Sequence, residues 1–197
     1  MNQPVGQKVR INRLKNLLTT REIKLLSKQV GSRFSHLAGP TLWHHLTAPK
    51  VYITTEKAVI ELEANCEELK FGEEWLNISK INVDEVDVSV LEDCFENGNV
   101  YKKFSGQEII SMSLVRDNIT GSLDGVPNFD YACHSAVAIE FAEGFLLISL
   151  EDHNLPMLSI TYQENLNLET LPQASNEFEE DLNQHFNFHR EIEALKR

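Results

Sequence analysis

The sequence has few cysteines, few prolines and no long apolar run, and each shortage excludes a class of protein. Cys66, Cys94 and Cys133 are the only cysteines in 197 residues; they are widely spaced and odd in number. A disulfide framework is therefore not expected, and without a CxxC pair neither is a thioredoxin-like or zinc-ribbon site. No stretch approaches the ~18 apolar residues of a membrane span. The opening residues, MNQPVGQKVRINRLKNLL, hold no apolar signal core, so the expected address is cytoplasmic. In that compartment the Asn77-Ile78-Ser79 and Asn118-Ile119-Thr120 glycosylation patterns are idle. Six prolines and nine glycines are scattered rather than gathered into a linker, and no repeat is visible. One domain is expected over 1–197.

The chain also lacks the P-loop, the GxGxxG dinucleotide turn, GxSxG and HExxH. Those absences argue against the enzyme classes that use them, and no cofactor is expected.

Acidic charge is abundant. The formal net charge is −12, with 18 basic against 30 acidic residues. Residues 1–50 hold nine basic residues against the single acid Glu22, which leaves nine basic against 29 acidic beyond them, a net of −20. Such a field repels nucleic acid and speeds the approach of cationic partners. The densest acidic run lies between Glu56 and Glu96 and includes Glu73, Glu74, Asp84, Glu85 and Asp87; a second spans Glu177 to Asp181.

Hydrophobic spacing suggests the elements. Leu14, Leu17, Leu18, Leu25 and Leu26 recur near helical spacing, so 10–30 reads as helix, with Thr19-x-x-Glu22 as a capping box and Gly31-Ser32 as the stop. From Lys50 the period changes to alternation. KVYITTEKAVIELEA reads as strand, turn, strand; EEWLNISKINVDEVDV is extended; Ile109–Val115 is a strand; TGSLDGVPNFD is a loop. Val137–Asp152 reads as a hairpin turning at Ala142-Glu143-Gly144, and MLSITYQ closes the series. The tail reads as helix, capped by Asn176-x-x-Glu179 and striped by Phe178, Leu182, Phe186 and His189. The expected fold is α+β: an antiparallel β-meander (sheet, small sandwich or barrel) over 50–170, flanked by a basic helical arm at 1–49 and a C-terminal helix at 171–197.

Several groups could carry chemistry. On a helix, His185 and His189 would share one face, with Asp181 nearby, and could hold a metal for hydrolysis. The commoner outcome for such a pair is a partly exposed flank to Phe186 and Phe188. The basic residues of 8–33, with Phe34, Trp43 and His44-His45 after them, offer a nucleic-acid reading; the whole-chain field opposes it. Cys133 and His134 could suggest a thiol–imidazole nucleophile, but strand neighbours point to opposite faces. Asp117-Asn118 and Asp124 to Asp130 lack the order of a calcium loop. Asp152-His153 reads as a turn after the hairpin.

Three stretches, VYITTEKAVIELEAN, IISMSLVRDNIT and SAVAIEFAEGFLLISLEDHNLPMLSITY, together form a pattern of strands. Over about residues 50–163 this pattern resembles bacterial immunity proteins of polymorphic toxins, including those of contact-dependent growth inhibition. The resemblance implies no active site and a role in binding and occluding a cognate toxin. Charge agrees: a nuclease toxin needs a cationic cleft, and Glu73, Glu74, Asp84, Glu85 and Asp87 would face it. Partners among nucleic acids or membranes are not expected.

Overall fold

The computed structural model describes residues 12–40, 46–71, 74–96, 99–171 and 184–196. The described chain runs β1 (Asn12–Asn16), α1 (Thr20–Ser27), β2 (Phe34–Ala38), β3 (Thr47–Ala48), β4 (Lys50–Thr55), β5 (Val59–Phe71) and β6 (Glu74–Val86). A 3-10 turn at Val88–Leu91 then runs into α2 (Glu92–Glu96). The remaining strands are β7 (Val100–Tyr101), β8 (Ser111–Leu123), β9 (Val126–Phe141), β10 (Gly144–Leu150), β11 (Leu158–Gln163) and β12 (Gln184–Ala194).

These strands make two sheets. The larger has the order β12-β8-β9-β10-β11-β3 with β1 beside β9, and the smaller the order β6-β5-β4-β2-β7. Every pairing between named strands is antiparallel except that of β1 with β9. Leu37, Ile53, Ile60, Leu62 and Val83 of the smaller sheet share one buried cluster with Met112, Leu114, Val137, Ile139 and Ile148 of the larger. Apolar residues on the facing sides bury each other, which makes a two-layer β architecture. Leu25 and Leu26 of α1 join the same cluster.

The α+β expectation is overturned. The N-terminal arm is not one helix: 12–16 is a strand in register with Phe129–Cys133, and only Thr20–Ser27 is helical. The tail is not a helix where it is described: Gln184–Ala194 pairs with Ser113–Leu123 along its whole length. Its alternation of Phe186, Phe188, Arg190 and Ile192 against His185, Asn187, His189 and Glu191 is the two-residue period of a strand. Pairing with β8 overrides the helix propensity of Glu, Ala and Leu. The proposed cap at Asn176 lies outside the described residues. The TGSLDGVPNFD stretch is not an open loop: β8 and β9 run through it, joined by Asp124 and Gly125 at φ of +52° and +74°. That is the left-handed pair of a tight hairpin turn, for which Asp-Gly is a favoured sequence.

Other features match the sequence reading. Thr19 and Glu22 form the capping box reciprocally. The β9–β10 hairpin turns at Ala142-Glu143, with Phe141 opposite Gly144. A Cβ at Gly144 would stand 2.3 Å from the Gln163 carbonyl oxygen, and its φ is +137°, so only glycine fits.

Two details position the candidate sites. β9 carries a bulge: Val115 faces Ala136, yet Arg116 faces His134, leaving Ser135 as the extra residue. It falls where β9 exchanges its β1 neighbour, at 129–133, for its β10 neighbour, at 136–141. The outer edge of β6 is also bonded at two points. Val83 N–H donates to Glu22 Oε1 at 2.9 Å, and Ser79 N–H donates to the His153 carbonyl at 2.6 Å. At those two points the edge amides are not open to another strand. Among the described residues no helix is long and apolar enough to cross a membrane.

Candidate functional site

Three places concentrate polar chemistry. The first is buried beside the β9 bulge. Register sets Arg190, Asp117 and Cys133 side by side on β12, β8 and β9, so their side chains share one face. Arg190 Nε and Nη2 donate to the two Asp117 carboxylate oxygens at 2.7 and 2.8 Å. His153 Nε2 donates to Asp117 Oδ2 at 3.1 Å. Asp117 and Cys133 have no exposed surface and His153 exposes 1%. Burial pushes the Asp117 carboxyl up, but the hydrogen bonds from Arg190 and His153 outweigh it and hold the group below its ordinary value. Tyr131 donates from its hydroxyl to the Ser79 carbonyl at 3.0 Å, and burial raises its pKa.

Asp117, Cys133 and His153 are residue types that bind metals, and their ligand atoms lie within 4.8 Å of one another. The arrangement does not fit an ion well. There are three candidate ligands, and both oxygens of the carboxylate are taken by a guanidinium whose charge a divalent ion would have to share. Nor does a substrate have a path to a thiol and an imidazole this deeply buried. The network is a satisfied buried ion pair. His153, expected in a turn, is thus a core residue, whereas Asp152 does what a turn aspartate does: its Oδ1 accepts from Asn154 N–H at 2.6 Å.

Cys133 and His134 do diverge. Cys133 packs with Ile78, Ile119, Phe129 and Tyr131, whereas His134 Nδ1 accepts from Leu18 N–H at 2.9 Å and its Nε2 lies 3.4 Å from Glu193. His185 and His189 are both exposed on β12. Four residues along a strand is about 13 Å, so the helical spacing that would let them share an ion is absent. Trp43 and His44-His45 lie outside the described residues.

The second place is the acidic surface. Part of it is neutralised internally. Lys50 lies 3.1 Å from both Glu61 and Glu63, Lys80 pairs with Glu67, and Arg21 lies 2.7 Å from Asp84. Of the five residues expected to meet a partner, Glu73 lies outside the described residues and Glu74 begins β6. Asp84 is the one tied to Arg21, and Glu85 and Asp87 are exposed.

Sequence reasoning missed the character of the ten residues Asp87–Glu96 (DVSVLEDCFE). The segment anchors itself through Leu91 and Cys94, each 1% exposed, in a cluster with Ala38, Tyr52 and Val59. Its other residues face outward. Val88 exposes 64%, Phe95 52% and Val90 37%, among the carboxylates of Asp87, Glu92, Asp93 and Glu96. The Asp87 side chain accepts from Ser89 N–H at 2.9 Å, which starts the 3-10 turn and holds its carboxyl below the ordinary value. Phe95 rests against His36 with ring centroids 5.3 Å apart. The signal available in the sequence was four apolar residues and a cysteine interleaved with four acids and no base.

The third place is a cleft of about 780 Å³ between α1, the β4–β5 turn and Lys196. Comparison with protein-family models, with curated proteins and with solved structures finds no match for this chain.

Proposed function

We infer that this protein is a binding protein that neutralises a cationic protein partner: a cytoplasmic immunity protein for a cognate toxin, most simply one with a nuclease domain. The observation that carries this reading is the Asp87–Glu96 segment. Three exposed apolar side chains on a ten-residue segment that also carries four exposed carboxylates supply the elements of a recognition patch, an anchor that can be desolvated and charge beside it. That charge matches a surface built to hold phosphates. Steering by a net charge of −12 raises the encounter rate with such a surface, and close ion pairs across an interface can add about 1.5–7 kcal/mol of coupling. The strand pattern over 50–163 that resembles toxin-immunity proteins supports the same role.

The weight of the proposed interface falls on Asp87, Glu92 and Glu96 of the segment that carries Phe95, rather than on Asp84 or on Glu85, which lines the cleft beside α1. The experiment is co-expression with the product of the neighbouring gene in a cell that this product kills. Protection by the intact protein, lost on changing Phe95 to Ala together with Glu92 and Glu96 to Lys, is the expected result. Killing that proceeds unchanged in the presence of the intact protein would refute the immunity role.

A further inference from the structure

The cleft beside α1 has the opposite character to the rest of the surface. Its described lining includes Lys24, Lys28, Lys57 and Lys196 against one carboxylate, Glu85, a formal +3 in a chain whose net charge is −12. Four of the 18 basic residues converge on one concavity, and among the described residues none of the four forms an ion pair.

The floor is built rather than incidental. Gln29 is 2% exposed, and both ends of its amide are used: Nε2 donates to the Leu25 carbonyl and Oε1 accepts from Thr55 Oγ1 at 2.8 Å. Lys57 Nζ donates to the Lys28 carbonyl at 3.2 Å, which ties the β4–β5 turn to the end of α1. Ile23 and Ala58 add apolar wall.

We propose that this cleft is a binding site for a small polyanion, a phosphate compound carrying at least two negative charges. The volume falls within the roughly 300–1,000 Å³ of small-molecule sites. Lysine ammonium groups are compact point charges that hold phosphate without demanding the planar geometry of a guanidinium fork. The ligand is small for a physical reason. Charges beyond a Debye length of about 8 Å are screened, so a compact anion inside the cleft feels the four lysines and Glu85 more strongly than the distant acidic surface. A long nucleic acid would have to lie across that surface.

Isothermal titration of the whole protein with inorganic pyrophosphate at about 150 mM salt tests this, with sulfate as the control anion. The expected result is saturable one-site binding with Kd below about 1 mM, weakened at least tenfold in the K24Q/K57Q variant and unchanged in K102Q/K103Q. Lys57 makes one backbone hydrogen bond and Lys103 lies over the Phe104 and Tyr162 rings, so circular dichroism of each variant checks the fold. Sulfate binding as tightly as pyrophosphate, or K24Q/K57Q binding pyrophosphate as the parent does, would overturn the proposal. So would failure of pyrophosphate to bind, whether or not a single-stranded oligonucleotide binds through the same lysines.

Discussion

Asp117 and Arg190 face each other across the β8–β12 ladder and make a two-point ion pair, 2.7 and 2.8 Å, at a place where Asp117 exposes no surface. Arg190 also donates to the Leu168 carbonyl at 3.1 Å and lies over the Phe188 ring at 4.9 Å. One side chain thereby joins the last strand, the sheet and the Leu168–Thr170 turn. Buried pairs of this kind give little net stabilisation when both partners are present, but removing one leaves the other charge stranded.

Arg190→Met should therefore cost about 3–5 kcal/mol in urea unfolding. Asp117→Asn in the same background should recover part of it, because the stranded charge is gone. A loss in Arg190→Met below about 1 kcal/mol, the range of an exposed pair, would show that the pair is not buried in solution.

The His134 imidazole supports a pH prediction. Its Nδ1 accepts the Leu18 N–H and so carries no proton in the fold. Burial lowers its pKa below the ordinary value, with Glu193 opposing. His36 is lowered as well, by burial and then by Lys102. When the folded value is depressed, the unfolded chain takes up the proton first on acidification. The stabilisation is complete above about pH 6.5, the unfolded value, and drains away as pH falls through the folded value. Urea midpoints should fall between about pH 7 and 5, and His134→Gln should flatten that slope. An unaltered slope in the variant would assign the loss to other groups.

Glu22 serves two elements at once. Its Oε2 accepts from Thr19 N–H at 2.7 Å, and its Oε1 from Val83 N–H at 2.9 Å. Glu22→Ala should cost more than the ~1 kcal/mol of a lost cap, since an edge amide of β6 also loses its acceptor, whereas Thr19→Ala should cost about 1 kcal/mol alone. Equal losses in the two variants would mean that the Val83 contact is not stabilising.

Legibility in the sequence depended on how local each signal was. The capping box and the β9–β10 turn were readable because Thr19 with Glu22, and Ala142-Glu143-Gly144, specify their geometry within a few residues. Most strands between Lys50 and Gln163 were readable from alternation, but β7 was not, and the Gly, Asp, Asn and Pro of TGSLDGVPNFD hid the end of β8 and the start of β9. β1 was not: Asn12–Asn16 is a strand only because Phe129–Cys133 lies beside it, and Leu14, Leu17 and Leu18 mimic a helical period. β12 carried the right alternation in Phe186 and Phe188, but its helix-forming neighbours masked it. The Asp117 network could not be read at all, since a bulge at Ser135 and a register spanning 73 residues bring its members together. The Asp87–Glu96 patch was half legible: its acids stood out, and the outward turn of Val88 and Phe95 did not.

His185 and His189 supply a further check on β12. On a strand they stand about 13 Å apart, too far to ligate one ion. Changing both to Ala should leave the metal content of protein purified without a histidine tag unchanged, as read by elemental analysis. One equivalent of zinc lost with the two histidines would require the helical tail that the structure replaces with a strand.

The proposed recognition of a cationic protein by Asp87–Glu96 is tested most directly by the affinity and association rate of the toxin domain proposed as its partner, measured over a series of salt concentrations. Phe95→Ala should weaken binding by about 2 kcal/mol, roughly 30-fold in Kd, with melting temperature unchanged because the ring is half exposed. Glu92→Lys with Glu96→Lys should slow association and reduce its salt dependence. Affinity that is the same in all variants, with association indifferent to salt, would contradict this role and leave these carboxylates as a solubility coat.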